Sequence, residues 1–214
     1  MPFDLVAPRV GAACAVTNNG TLVVCGGSSG TGSYYATCQN TVEIMDNETK
    51  KFTLHSIYLR RRRCCHTATA ISNNEILVCG GLTPSGDSTD STEILNLETG
   101  QTRPSVSMRI PRESHSATLL SDGTVFICGQ GSAEILDLRR RTSTPVDLFD
   151  AKAPLPIHSI AARLRSGDVL FVEGGRDSLL GPQPETQIYL EDKKDFLYGT
   201  TIHKHRASFA MTSF

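Results

Sequence analysis

Four consecutive arginines, Arg60–Arg63, form the longest run of like charge in the chain. Guanidinium groups donate paired, charge-assisted hydrogen bonds to carboxylates and phosphates. The run therefore predicts a basic surface for an acidic peptide, a phosphate group or a nucleic acid. In a structural alternative, one or two of these arginines occupy a fixed position before a strand and the others are solvated. Arg9 and Arg112 stand in similar positions before other strands, which favours the structural alternative.

A second basic run, Arg139–Arg141, falls in a predicted turn. We expect this turn at the opposite end of its repeat from Arg60–Arg63, so the two runs would not form one nucleic-acid groove. The net charge of -1 gives no general attraction to nucleic acids or anionic membranes. We therefore predict neither a nucleic-acid partner nor a membrane partner.

Histidine and cysteine side chains are the candidate metal ligands. His66, His115 and His205 open predicted first strands of their repeats, and such a ring of imidazoles could coordinate a metal. Histidines at repeat positions more often bond to neighbouring backbone, so no metal site is predicted. Cys64 and Cys65 precede His66, but adjacent strand residues point to opposite faces, and these three side chains should not converge.

The seven cysteines follow no disulfide-framework spacing. Cys25, Cys79 and Cys128 occupy one repeat position, just before a glycine, where we expect free, buried thiols that behave as small apolar groups. Free thiols are typical of a reducing compartment, so we expect a cytoplasmic location. Met1–Leu5 lacks a basic region followed by an apolar stretch, so no signal peptide is expected, and no apolar run is long enough to span a bilayer.

The elements that position these residues come from a fourfold repeat. Apolar runs ending in glycine recur with their first glycines at 26, 80, 129 and 174. A period of about 50 residues built from short strands is typical of propeller blades. The runs are Leu22–Gly27, Ile76–Gly81, Val125–Gln130 and Val169–Gly175.

Each repeat divides into four predicted strands, and the apolar run is the second. Asn, Asp, Ser and Gly residues form a tight turn before it. A longer, variable loop follows the glycines, except in the third repeat. The tight turns should therefore lie on one face of the molecule, and the long loops and repeat connections on the other. Tyr34 and Tyr35 lie in the first long loop.

The pattern resembles the kelch repeat, and the third copy, His115–Gly129, is the closest match. It is also similar to blades of galactose-oxidase-like propellers. The resemblance covers residues 9 to 214 and implies a propeller that binds partners through its loop-rich face. The chain departs from the family in having no tryptophan, and only Tyr189 matches the usual third-strand tyrosine.

The predicted fold is all-β: a kelch-type β-propeller of four four-stranded blades plus the first strand of a fifth. The blades are expected at 9–57, 58–108, 109–152 and 153–202, with a partial blade at 203–214, in a single domain of 1–214. Relatives usually close with five to seven blades, so three alternatives stay open. The chain is a piece of a longer propeller, it closes as a small ring through its last strand, or it completes a ring with another chain by association at the incomplete blade.

The predicted function is a protein-interaction scaffold that binds a protein partner, with an acidic segment as one candidate, through the loop-rich face. The alternative is a kelch-fold enzyme, an oxidase or a mutarotase-like protein acting on a sugar at the channel mouth. A non-binding structural piece of an assembly is a third alternative. No catalytic residue and no cofactor are predicted. The predicted contact residues are Tyr34, Tyr35, Arg60, Arg61, Arg63, Arg112 and His115.

Overall fold

The structure is a computed structural model that describes residues 4–30, 33–130, 132–146, 159–173 and 186–198. These residues form sixteen β-strands in four separate four-stranded sheets. Every sheet is built from four consecutive strands that pair antiparallel with their neighbours. The chain divides into two compact units, Met1–Glu113 (unit 1) and Ser114–Phe214 (unit 2).

Unit 1 contains the first two sheets, each in simple sequential order. The strands of the first are β1 (Ala13–Val16), β2 (Leu22–Cys25), β3 (Thr41–Met45) and β4 (Phe52–Tyr58). Those of the second are β5 (Thr67–Ala70), β6 (Glu75–Cys79), β7 (Thr92–Asn96) and β8 (Gln101–Pro104).

Unit 2 contains the other two sheets, again in sequential order. The strands of the third are β9 (Ser116–Leu119), β10 (Val125–Gly129), β11 (Ser132–Asp137) and β12 (Thr142–Val146). Those of the fourth are β13 (Ser159–Arg163), β14 (Val169–Glu173), β15 (Thr186–Leu190) and β16 (Asp195–Tyr198).

The glycine-ended apolar runs form the second strand of each sheet, as the sequence predicts. In β6, Ile76, Leu77, Val78 and Cys79 are all 0% exposed. Burial of consecutive residues means that both faces of the strand are covered, which explains why this run does not alternate between apolar and polar residues. The core of unit 1 joins the two sheets through residues such as Val23, Val42 and Ile76.

The predicted all-β fold of four-stranded antiparallel sheets is confirmed. β4 continues to Tyr58, and its pairing with β3 shifts register between Thr41 and Glu43. Cys25, Cys79 and Cys128 are free and buried, as expected. The part of the chain that the structure describes contains no helix that could cross a membrane.

Some expectations remain predictions. His205 and the first strand of a fifth blade, at 203–214, lie outside the described residues. The single domain with blades at the stated boundaries also stays a prediction.

Candidate functional site

The two ends of the sheets in unit 1 differ in character. In the first sheet, tight turns join β1 to β2 and β3 to β4 at one end, which we call the turn end. At the opposite end of unit 1, the segments 26–30, 33–40, 59–66 and 80–91 form what we call the loop end. The backbone ties these segments together: Arg63 N donates to Gln39 O at 3.0 Å, and Leu59 N to Asn40 O at 2.8 Å.

Arg63 points into unit 1 instead of toward solvent. Its guanidinium lies 2.8 Å from Glu93 on β7, and the two side chains are 1% and 2% exposed. Nη1 also donates to the carbonyl of Gly80 at 2.6 Å, and Nη2 to Ser91 Oγ at 3.1 Å. Burial lowers the pKa of the Arg63 guanidinium, and the Glu93 charge opposes that shift. The side chain thus joins the glycine end of β6 to the start of β7.

Arg9 makes the same set of contacts in the first sheet. Its Nε donates to Glu43 on β3 at 2.8 Å, and both side chains are 0% exposed. Its Nη1 donates to the carbonyl of Gly26 at 2.6 Å, and its Nη2 to Thr41 Oγ1 at 2.7 Å. A buried arginine before the first strand, paired with a glutamate on the third, is therefore a repeated structural unit of both sheets.

The residue three positions before each of these arginines also binds the glutamate, through its backbone amide. Val6 N donates to Glu43 Oε2 at 2.7 Å, and Arg60 N donates to Glu93 Oε2 at 2.6 Å. Each glutamate thus accepts from both a guanidinium and a backbone amide, which satisfies its buried oxygens. The backbone of Arg60 is fixed in this way while its side chain stays exposed.

Arg112 and His115 are also buried, at 1% and 5% exposure. The carbonyl of Arg112 accepts from Gly81 N at 2.7 Å, just as the carbonyl of Arg63 accepts from Gly27 N at 2.9 Å. Arg63, Arg112 and His115 are predicted contact residues, but their buried side chains present no surface to a partner. The candidate site therefore does not include these three residues.

Arg60, Arg61 and Arg62 are exposed. None of them forms an ion pair with another residue in the described part of the chain. Arg62 also lines a shallow depression of about 410 Å³ at the loop end. Among the described residues that form this depression, Arg62 carries the only charge. The remaining lining residues are Ser29, Ala36, Thr37, Cys38, Gln39, Asn40 and Thr41.

The two predicted loop tyrosines have different surroundings. Tyr34 is half-buried against Cys38, Cys64 and Cys65, and its hydroxyl lies 3.3 Å from Cys65 Sγ. Burial raises the pKa of this hydroxyl. Tyr35 is 42% exposed, and its ring meets the ring of Tyr34 edge-on at a centroid distance of 5.4 Å. Tyr35 is thus the more exposed of the two tyrosines.

One thiol and one imidazole meet in the interior of unit 1. Cys25 Sγ lies 3.5 Å from His66 Nε2, which is a pair and not a ligand set. Among the described residues there is no group of three or more His, Cys, Asp or Glu side chains arranged to hold a metal ion.

Sequence comparison agrees with this repeated geometry. The profile of the kelch motif matches residues 63–104, which begin at the buried Arg63 and end with β8. Residues 63–104 therefore carry a kelch motif. Kelch repeats form the blades of β-propellers, and the other three sheets have the same sequential, antiparallel, four-stranded form as the matched one. Such repeats are consistent with a protein-interaction scaffold. No curated protein shows significant similarity to the chain.

Two features of the site were not predicted from the sequence. Arg62 was not among the predicted contact residues, although it is exposed and lines the depression. The pairing of Arg63 with Glu93 was also missed. The signal for that pairing was present, since Arg9 and Glu43 occupy the same repeat positions as Arg63 and Glu93.

Proposed function

We propose that this protein binds an acidic segment of a partner protein at the loop end of unit 1. The contact surface comprises the side chains of Arg60, Arg61, Arg62 and Tyr35 and the adjoining depression. The proposal rests on one observation, namely that the arginines of the run differ in burial and pairing. Arg63 is buried and paired, whereas three consecutive arginines before it are exposed and form no ion pair with the described residues.

Charge supports an acidic partner. Exposed guanidiniums form charge-assisted, bidentate hydrogen bonds with carboxylates, and they lose little hydration energy in doing so. No carboxylate lines the depression beside Arg62 among the described residues. A partner carboxylate that enters it therefore meets a positive charge and polar groups such as Thr37, Gln39 and Asn40.

The scaffold supports a fixed geometry for this surface. Arg60 N is bonded to Glu93, and Arg63 N is bonded to the first long loop, so the backbone is fixed at both ends of the run. Arginine and tyrosine are the residue types enriched at interaction surfaces because they provide large contact areas with polar tips. Loops held by rigid sheets are the usual place for such contacts.

A peptide-binding experiment with matched charge reversals tests the proposal. The probe is a fluorescein-labelled poly-glutamate peptide of about ten residues, measured by fluorescence anisotropy against the wild-type chain. The test variant combines R60E, R61E and R62E. The control variant combines R139E, R140E and R141E, which reverses the same number of exposed charges at the turn between β11 and β12.

We expect the test variant to bind the peptide at least about tenfold more weakly, since several charge-assisted contacts become repulsive. The control variant should keep the wild-type affinity within about twofold, because its substitutions lie in the turn between β11 and β12, which is not part of the proposed contact surface. Equal weakening in both variants would mean that the peptide responds only to net charge and would contradict the proposed site. Unchanged binding in the test variant would contradict it as well.

A further inference from the structure

Two cysteines from different segments of unit 1 meet in its interior at the loop end. Cys38 closes the first long loop, and Cys64 follows directly after the arginine run. Their sulfur atoms lie 2.8 Å apart, although the residues are 26 positions apart in sequence. Cys38 is 2% exposed and Cys64 is 0% exposed. The two thiols are therefore already inside ordinary sulfur–sulfur contact distance.

The surroundings hold this pair in place. The backbone pairs Ser28 with Cys38 and Cys64 with Leu82, so each cysteine is held by its own β-bridge at the loop end. Cys64 N donates to Leu82 O at 3.1 Å, and Leu82 N donates back to Cys64 O at 2.8 Å. Leu82 and Tyr34 pack around the two sulfur atoms. Because the backbone on both sides is fixed, only a small side-chain movement separates the thiols from bonding distance.

We infer that Cys38 and Cys64 form an oxidation site, at which the two thiols are converted into one disulfide that staples the first long loop to the arginine-bearing connection. Hydrogen peroxide is the oxidant. The sulfur of one cysteine attacks a peroxide oxygen, the O–O bond breaks, and a sulfenic acid and one water form. The sulfur of the other cysteine then attacks the sulfenic sulfur, the S–O bond breaks, and the second water leaves. Two thiols are oxidised by two electrons, and one peroxide is reduced to two waters.

Burial determines how readily this reaction occurs. It raises the pKa of both the Cys38 and the Cys64 thiol, so the reactive thiolate is scarce in the folded protein. We therefore expect slow oxidation that depends on local opening, and a bond that is protected from reductants once it has formed. The disulfide therefore forms slowly under oxidising conditions and then persists, so the site does not act as a fast redox sensor.

Peptide mapping tests the inference on the full chain. The reduced protein is treated with hydrogen peroxide, quenched with catalase, and alkylated in guanidinium chloride before trypsin digestion. We expect the peptides 10–50 and 64–109 to appear linked, with tandem fragmentation placing the bond at Cys38 and Cys64. Exposed Cys14 reports that the oxidant was active. The variants C38S and C64S should lose the link, and the neighbouring variant C65S should keep it.

A second experiment starts from the unfolded chain, in which both thiols are exposed. The chain is refolded from denaturant in a mixture of reduced glutathione and glutathione disulfide, in which the bond forms by thiol–disulfide exchange with release of two glutathione thiols. Oxidised wild-type and C65S chains should melt about 5 °C or more above their reduced forms, because the bond closes a long loop. C38S should show no such difference.

Two results would overturn the inference. One is that Cys38 and Cys64 remain alkylated thiols in the refolded sample while its melting temperature matches that of the reduced protein. The other is that either cysteine is linked instead to Cys14 or Cys65. If the serine variants fail to fold, the peptide maps of the wild-type and C65S chains still show whether the bond joins Cys38 to Cys64.

Discussion

The guanidinium of Arg63 and the carboxylate of Glu93 lie 2.8 Å apart in the interior of unit 1, with almost no solvent contact. The contact separates the arginine run into two parts with different roles. Arg63 joins two strands within the second sheet, while Arg60–Arg62 remain available at the surface. The pair recurs as Arg9 with Glu43 in the first sheet, so it belongs to the repeat itself.

Removing one member of this pair should destabilise unit 1 strongly. We expect Arg63→Ala to lower the free energy of unfolding by about 3–5 kcal/mol, because it leaves the Glu93 carboxylate buried without its counter-charge. Arg61→Ala, at an exposed position of the same run, should change it by less than about 0.5 kcal/mol. Urea unfolding followed by circular dichroism measures both. Similar small effects of the two substitutions would contradict the assigned structural role of Arg63.

The sequence predicts the architecture well because the same strand and turn signals recur along the chain. Glycine-ended apolar runs and Asn- or Gly-containing turns are local signals, and each places a strand pair without knowledge of the rest of the chain. β4 was less predictable, because the register shift between Thr41 and Glu43 depends on pairing with another strand.

The candidate site is less predictable for a physical reason. Arg60, Arg61, Arg62 and Arg63 are chemically identical, and nothing within the run itself distinguishes the one that faces the interior. Only the repeat position that Arg63 shares with Arg9 does so. The Cys38–Cys64 contact likewise joins segments 26 residues apart. No local pattern marks that contact, since it exists only after two loops have packed together at one end of the unit.

Two glycines with similar backbone conformations should respond very differently to alanine. Gly81 and Gly20 have φ values of 94° and 84°, so a side chain at either position meets backbone strain. A Cβ at Gly81 would lie 2.6 Å from the carbonyl oxygen of Cys64 and 2.7 Å from the Cβ of His66, whereas one at Gly20 would meet nothing within 4 Å.

We expect Gly20→Ala to cost about 1–2 kcal/mol from strain alone. Gly81→Ala should cost at least about 2 kcal/mol more, because its clash involves backbone that cannot move aside. Thermal and urea unfolding of the two variants provide the comparison. Equal losses would show that the close approach at Gly81 does not limit the size of the residue there.

The exposed ring of Tyr35 should contribute to peptide binding through contact area. The ring also lies near Gly86 in the segment 80–91, where an added Cβ would come within 3.4 Å of Cδ2 of Tyr35. We expect Tyr35→Ala to weaken binding of the poly-glutamate probe about threefold or more, with Tyr35→Phe retaining most of the affinity. Anisotropy titrations measure both variants. Equal losses in the two would assign the contribution to the hydroxyl instead.

Alkaline pH should destabilise unit 1 through its buried thiols. Burial raises the pKa of Cys25 from 9.0 to about 12, against the opposing charges of Arg63 and Arg9. Above about pH 9 the unfolded chain releases this proton while the folded chain retains it, so the unfolded state binds fewer protons and stability falls as pH rises. The stability is fully present below the unfolded pKa, and its loss ends near the folded pKa.

Each such thiol contributes a slope of about 1.4 kcal/mol per pH unit between these two pKa values. Cys38 and Cys64 add to the effect, because burial raises their pKa values too. Urea unfolding under reducing conditions from about pH 8 to about pH 11 gives the slope for wild type and for Cys25→Ala. Titration of lysines and tyrosines is common to both chains and cancels in the difference. The free energy of unfolding of Cys25→Ala should therefore fall less steeply with pH than that of wild type, and the difference should equal the slope of one thiol. Equal slopes for the two chains would mean that Cys25 ionises as readily in the folded chain as in the unfolded one.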